Sequence, residues 1–294
     1  LAARFMDRIG KGIRGAPRDA LVADLTAPEI RGAAYGLRQA LDTVGAFLGP
    51  LLAVGLMLLW AGDFRTVFWF AVIPAVIAVL LLIFGVEEPR TGTVRRNVIS
   101  PIRWQTLREL GGAYWWVVTV GGVFTLARFS EAFLILRAQQ QGLPDTYAPL
   151  VLVIMNVVYA LAAYPMGKLA DRISHSTLLG AGLVVLIVAD LVLARAQGLT
   201  MVAIGVALWG LHMGMTQGLL ATMVAGTAPE HLRGTAFGFF NLASGIAMLI
   251  ASVLAGLLWD TLGAAVTFCA GAVFSLLAFM MLMLRKPDQK SRWA

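Results

Sequence analysis

Apolar runs of about 20 residues recur along this chain, separated by short polar stretches that hold most of its charge. A run of that length spans the roughly 30 Å hydrocarbon core of a bilayer as a helix. Helix is the required form, because lipid offers no partner to an unpaired backbone amide or carbonyl. The pattern predicts spanning helices over 33–61, 66–86, 111–136, 147–167, 177–196, 199–223, 234–258 and 263–284. A polar opening helix over about 1–25 makes nine. That opening stretch carries Arg4, Asp7, Arg8, Lys11, Arg14, Arg18 and Asp19, with Asp24 just beyond. Gly10, Gly12, Gly15 and Pro17 thin and bend it. It reads as a helix lining a polar cavity and descending to one membrane face.

The polar connections divide by charge. The segment 87–110, the turns 168–175 and 224–233, and the tail collect Arg90, Arg95, Arg96, Arg103, Arg108, Lys168, Arg172, Arg233, Arg285, Lys286, Lys290 and Arg292. The opposite face holds Arg65, Arg137 and Arg195. The excess of Lys and Arg places the first set, with the C-terminus, in the cytoplasm of a multi-pass protein of the inner (plasma) membrane. Segment 87–110 is the longest polar connection and the expected boundary between membrane units 1–86 and 111–294. Its Trp104 and periodic apolar positions fit either a short helix on the membrane surface or a disordered linker.

One internal repeat organises these helices. Residues 27–36 read APEIRGAAYG and residues 228–238 read APEHLRGTAFG. Placing Arg31 on Arg233, an offset of 202 residues, also matches Gly32 with Gly234, Gly36 with Gly238, and Gln39 with Asn241. The same register sets Gly45, Gly49 and Ala53 against Ala247, Ala251 and Ala255. Small residues at every fourth position form a ridge on which another helix packs closely. Pro50, beside Gly49, bends that helix by leaving the carbonyl of Ala46 without its donor. Parallel repeats of membrane helices are an architecture of secondary transporters. The repeat unit counts six helices, so nine amount to half a unit and a whole one. The chain, which starts at Leu1, is expected to be a fragment entering in the fourth helix of twelve.

Composition narrows the chemistry. The chain is 59% hydrophobic and 13% charged, where a soluble domain carries roughly 25% charged residues. The net charge of +7 follows from the positive-inside bias without invoking nucleic acid. The single Cys269 lies in an apolar run, which excludes a disulfide framework and a thiolate metal site. Gly10, Gly12 and Gly15 satisfy a dinucleotide spacing, but no apolar strand precedes them, and Lys11 is not followed by Ser or Thr as a phosphate loop requires. No cofactor, metal or enzymatic reaction is expected.

Charges inside the apolar runs are the candidate site residues. Arg128 and Glu131 stand three apart near the middle of 111–136, a spacing that puts both on one helix face. A central charge costs about 2.5–3.5 kcal/mol on the lenient insertion scale, so two retained charges point either to a pair that neutralises itself or to solute and proton coupling. Arg38 and Asp42, one turn apart, pose the same choice, with Asp7 and Arg8 as structural partners in the first case. Asp190 is placed to pair with Arg195, and His212 to bond a neighbouring carbonyl. Trp115, Trp116 and Trp259 sit near span ends, where aromatic side chains anchor helices at the interface.

These residues together resemble the major facilitator superfamily. Arg4-Phe5, Gly10, Gly12 and Pro17 look like its fourth-helix motif, with Asp7 and Arg8 replacing the usual glutamine and glycine. Gly36, Gly45, Gly49 and Pro50 match its fifth-helix pattern, associated with antiporters, although Ala53 and Val54 replace two glycines. Gly167, Leu169, Asp171 and Arg172 (GKLADR) resemble its cytoplasmic loop motif, with Ser174 and His175 where basic residues are usual. Arg31-Gly32 and Arg233-Gly234 resemble the starts of its fifth and eleventh helices.

The resemblance implies an all-α polytopic bundle: three helices of one half, a cytoplasmic linker and a complete six-helix second half. It further implies a monomeric secondary transporter that moves a small solute by alternating access, with proton coupling expected and import and efflux both open. Gly167, Asp171 and Arg172, with Gly36, Gly45, Gly49 and Pro50, then belong to gating, and Asp171 and Arg172 are expected to bond a neighbouring helix end. The competing readings are a membrane receptor or assembly factor on the same fold, and an intramembrane enzyme using Glu131, Asp190 and His212. The second lacks nucleophile and metal spacing.

Overall fold

Every long apolar run that the structure describes is helical. The computed structural model describes residues 15–60, 64–85 and 107–284, and contains no strand among them. The chain separates into two units, one formed by Leu1–Thr43 with Pro101–Ala294 and the other by Val44–Ser100. Helix α1 covers residues 15–25. It is followed by α2 (Arg31–Leu59), α3 (Phe64–Gly85), α4 (Gly112–Ala127), α5 (Ala132–Gln140) and α6 (Ala148–Ala170). The chain continues through α7 (His175–Arg195), α8 (Leu199–Thr227), α9 (Arg233–Leu262) and α10 (Ala264–Leu284). Among the described residues six segments are long and apolar enough to cross a membrane, all between Gly112 and Leu284. Asp7, Arg8, Gly10, Gly12, most of segment 87–110 and the tail after 284 lie outside the described residues.

Local chemistry sets the helix ends. Ser174 Oγ accepts from the Thr177 amide and starts α7, satisfying a first-turn donor that no intrahelical carbonyl reaches. Gly263 ends α9 at φ 84°, a conformation that costs glycine little, and its amide donates back to Leu258 and Trp259. Arg137, on α5, donates to the carbonyls of Leu193, Ala194 and Ala196 at the end of α7, where the unpaired carbonyls and the helix dipole favour a cation.

In the first unit, two apolar clusters fill the spaces between helices. One gathers Tyr114, Phe124, Leu179 and Phe237; the other gathers Phe129, Met155, Trp209 and Phe268. Helices α6 and α8 cross at Gly210, where an added Cβ would meet the Met155 carbonyl. On α9 the predicted small-residue ridge is buried: Ala247, Ala251 and Ala255 are at most 9% exposed. Buried threonines are satisfied within their own helices, as Thr125 is on Gly121 O and Thr216 on His212 O. Trp115 packs edge-on against Tyr114 and Phe239, and Trp259 lies tilted against Phe133 and edge-on to Phe268. Partly exposed, Trp115 and Trp259 thus also join tertiary aromatic clusters, in which ring edges meet ring faces.

In the second unit, α3 holds Pro74 within its length and leaves Trp69, Ile73, Leu81 and Phe84 widely exposed. An apolar surface of that kind suits contact with lipid or further helix rather than water. The structure departs here from the expected packing of Gly45 and Gly49. Among the described residues, a Cβ at either glycine meets nothing within 4 Å. Residue 50 falls within α2, which continues helically past it.

Candidate functional site

The span predicted as one helix over 111–136 is broken. Helix α4 stops at Ala127, Arg128 takes φ −108° and ψ 86°, and α5 begins at Ala132. Ser130 starts the second piece: its carbonyl accepts from Phe133 N and its hydroxyl from Ala132 N. The sequence ARFSEA holds no proline or glycine to announce the break; the local signal is Ser130, a residue that favours helix starts. The i, i+3 argument that put Arg128 and Glu131 on one helix face therefore fails. No ion pair within 4.0 Å joins them, although Glu131 stays within electrostatic reach of the guanidinium.

Two cavities open at this break. The smaller, of about 280 Å³, is lined by Arg128, Phe129, Ser130, Glu131, Trp209, Met248 and Ser252. The larger, of about 320 Å³, runs from Arg128, Gln217 and Phe124 to Asp19 and Arg38. Arg128 and Met248 line both. The internal repeat reappears in the larger wall. Gln39 and its counterpart Asn241 both line it, as do Arg38 and its counterpart Phe240. Interrupted membrane helices are tolerated where they border protein or a water-filled cavity, since water can serve the freed backbone groups.

Arg128 is held by neutral neighbours. With its amide turned so that the oxygen faces the guanidinium, Gln217 accepts from both terminal nitrogens of Arg128. The Phe124 ring centre lies 5.8 Å from Cζ, a cation–π distance. Nε is buried with no hydrogen-bond partner. Gln217, a lone amide inside an apolar run, was missed in the sequence; its polarity at mid-span was the available signal.

At the other end of the larger cavity the charges are paired. Asp19 sits 3.2 Å from Arg38 and 3.4 Å from Arg18, and Asp42 sits 3.1 Å from Arg18 and 3.2 Å from Arg38. Tyr35 donates to the Asp19 carbonyl at 2.6 Å. Arg38 and Asp42 thus belong to a four-charge network joining α1 to α2. Its other members are Arg18 and Asp19, in place of the expected Asp7 and Arg8.

The loop motif reaches the start of α2. Asp171, ending α6, accepts from Gly32 N at 2.7 Å and Ala33 N at 2.8 Å. These are first-turn amides with no local side-chain cap, and a carboxylate completes both valence and dipole. The approach depends on missing side chains. An added Cβ at Gly32 would lie 2.5 Å from Gly167 O, and one at Gly36 would lie 2.5 Å from Ala163 O. Gly218 brings α8 to the same crossing, where an added Cβ would lie 3.2 Å from Gly36 N. Arg172 is exposed and, among the described residues, makes no ion pair.

Two further arginines hold the end of α1. Arg31 donates to Ala23 O at 3.1 Å. Arg233 donates to Asp24 at 2.6 Å and lies 3.5 Å from Glu230. The remaining sequence candidates stand apart. His212 meets the Gly182 carbonyl through Nδ1 at 2.9 Å, as anticipated. Asp190 does not pair with Arg195: it is fully buried and neither carboxyl oxygen has a hydrogen-bond partner. It faces Gly271 of α10, at a site enclosed by close helix packing. The described residues contain no group of three or more His, Cys, Asp or Glu arranged to hold a metal ion.

The family model of the Major Facilitator Superfamily matches residues 1–155 and 132–294. An uncharacterized MFS-type transporter of Methanocaldococcus jannaschii is 30% identical over 284 residues, covering 95% of this chain and 70% of the relative. The multidrug resistance protein MdtH of Salmonella newport is 25% identical over 273 residues, 87% of this chain and 63% of that protein. The crystal structure of the E. coli fucose:proton symporter FucP superposes with a TM-score of 0.72 at 16% identity, covering 92% of this chain and 73% of that one. The last likeness is one of fold. The chain belongs to the Major Facilitator Superfamily, a membrane transporter family.

Proposed function

We propose that this chain is the greater part of a secondary active transporter that carries a small solute by alternating access and couples the movement to protons. The observation that carries the proposal is the broken helix at Arg128–Glu131, whose unpaired charges open on two adjoining cavities. Cavities of about 300 Å³ match the lower range of small-molecule sites, and broken helices at a central site are a recurring transporter device.

The end of the bundle bearing Asp171, Arg31 and Arg233 is assigned to the cytoplasm, from the excess of Lys and Arg on that side. In this state the carboxylate of Asp171 and the glycine crossing hold α2 against α6. Opening toward the cytoplasm breaks these contacts, so they act as a gate with two discrete arrangements. Glu131 is the proposed proton carrier. Its carboxylate lines the smaller cavity without an ion pair to Arg128, so movement of the broken segment changes its exposure and its distance from the guanidinium together.

The test uses the full-length protein in proteoliposomes with an imposed pH gradient. Wild type should accumulate solute. Glu131→Gln should lose gradient-driven accumulation while retaining exchange of solute at equal concentrations. Accumulation with unaltered pH dependence in the variant would remove Glu131 from coupling. Absence of any flux in wild type across a broad solute panel would favour a receptor or assembly role on the same fold.

A further inference from the structure

We infer that the solute is a small organic anion, a carboxylate on an apolar or aromatic body, and that Arg128 is its anchor. The inference rests on the transport reading above and adds the class of solute.

The case begins with charge. A guanidinium stays protonated in a protein, and burying it without a counter-charge is unfavourable. Other arginines of this chain meet that demand internally. Arg38 and Arg18 each touch Asp19 and Asp42, and Arg233 touches Asp24 and Glu230. Arg31 and Arg137 donate to carbonyls at helix ends, which carry partial negative charge. Arg128 has neither kind of partner. It touches a neutral amide and an aromatic face, with Glu131 beyond ion-pair distance.

Shape gives the second part. Gln217 and Phe124 fix the guanidinium plane where both cavities meet. A planar fork of donors matches a carboxylate in two parallel hydrogen bonds. The other charges lining the larger cavity cancel locally, since Asp19 is engaged by Arg18 and Arg38. Around the guanidinium the walls are apolar and aromatic: Phe124, Phe237 and Phe240 on one side, and Trp209 and Phe129 on the other. Asn241, Ser244 and Ser252 add neutral polar groups but no positive charge. The one carboxylate on this side, Glu131, lines only the smaller cavity and makes no ion pair with Arg128. In the larger cavity a cation would meet the guanidinium with Asp19 already engaged, and a neutral solute would leave Arg128 without a carboxylate. An anion with an apolar body satisfies both the charge and the walls.

Three probes with one skeleton test this: 3-phenylpropanoate, 3-phenylpropan-1-ol and 3-phenylpropylamine, offered to the purified full-length protein. Binding is read by thermal shift and calorimetry. The carboxylate should bind, and the alcohol and amine should bind at least tenfold more weakly. Arg128→Gln should lose carboxylate affinity at least tenfold, and Arg128→Lys should retain part of it, keeping the charge without the fork. Should Arg128→Gln fail to fold, Gln217→Glu supplies an internal carboxylate to the same guanidinium and should equally abolish binding. No carboxylate binding to wild type, equal binding of the amine or alcohol, or carboxylate affinity unchanged in the Arg128 or Gln217 variants overturns the inference. The two readings fail separately. Carboxylate binding without counterflow in proteoliposomes sinks transport and leaves the anion site; flux of an amine without carboxylate binding sinks the anion site and leaves transport.

Discussion

Helices α2 and α9 are entered through similar stretches, APEIRGAAYG and APEHLRGTAFG, yet their first turns meet different surroundings. Both follow a short 3-10 turn, Pro28–Ile30 in one case and Glu230–Leu232 in the other, and neither carries a side-chain cap of its own. At α2 the amides of Gly32 and Ala33 are taken by Asp171 from 139 and 138 residues away, and Gly32 lies against the backbone at Gly167. At α9 the equivalent Gly234 has open space where a Cβ would go. The arginines differ in the same way: Arg31 meets a carbonyl, and the more deeply buried Arg233 meets Asp24. A repeated sequence therefore specifies a repeated helix start, but what docks on it depends on which element the fold brings there.

Substitutions can break this contrast. The largest effect is expected at Gly32→Leu, where the added side chain enters backbone 2.5 Å away. Overpacking of this sort costs about 1–3 kcal/mol or more, so the melting temperature of the full-length protein in detergent should fall by several degrees. An unchanged melting temperature would mean that α2 and α6 do not cross this closely.

Next comes the arginine pair. Arg233→Gln should cost about 2 kcal/mol, since it removes a charged hydrogen bond from a buried site and leaves Asp24 without that partner. Arg31→Gln removes a single bond to a carbonyl and should cost about 1 kcal/mol. Denaturation of both variants side by side checks the order, and equal losses would erase the distinction between the two repeats.

Asp171→Asn is expected to act on conformation more than on abundance. It keeps an acceptor but gives up the charge, about 1 kcal/mol at a helix start, which shifts a two-state balance roughly fivefold away from the form in which Asp171 holds α2. Cysteine accessibility from each side of the membrane measures that balance; no shift would return Asp171 to a passive cap. Smallest of all, Gly234→Ala should stay within about 0.5 kcal/mol of wild type. A large loss there would reveal a partner on α9 as close as the one on α2.

Much of the helical layout was legible in the residues. Runs predicted over 147–167, 177–196, 199–223, 234–258 and 263–284 correspond to α6 through α10 with ends displaced by a few residues. Hydropathy over 20 positions is a sum of local preferences, so it survives without knowledge of neighbours. The candidate site was legible only in part. Arg128 and Glu131 were visible as charges out of place, but their spacing suggested one helix face, and the break between them turned that into two separate positions. Asp19 was expected on a cavity-lining opening helix and does line the larger cavity, whereas Gln217 gave a weaker signal and emerged only as part of that wall.

By itself, then, the sequence determined that this chain is built of apolar helices, where most of them begin and end, and that two of them repeat a motif. Those properties depend on residues within one or two turns of each other. Only the tertiary structure decided that Asp171 caps α2, that Arg18 and Asp19 neutralise Arg38 and Asp42, and that Arg128 faces a cavity with no carboxylate in ion-pair contact. Pairing of charges depends on separations of a few ångströms between residues tens to hundreds of positions apart. No periodicity along the chain encodes those distances; the packing of glycines against backbone does.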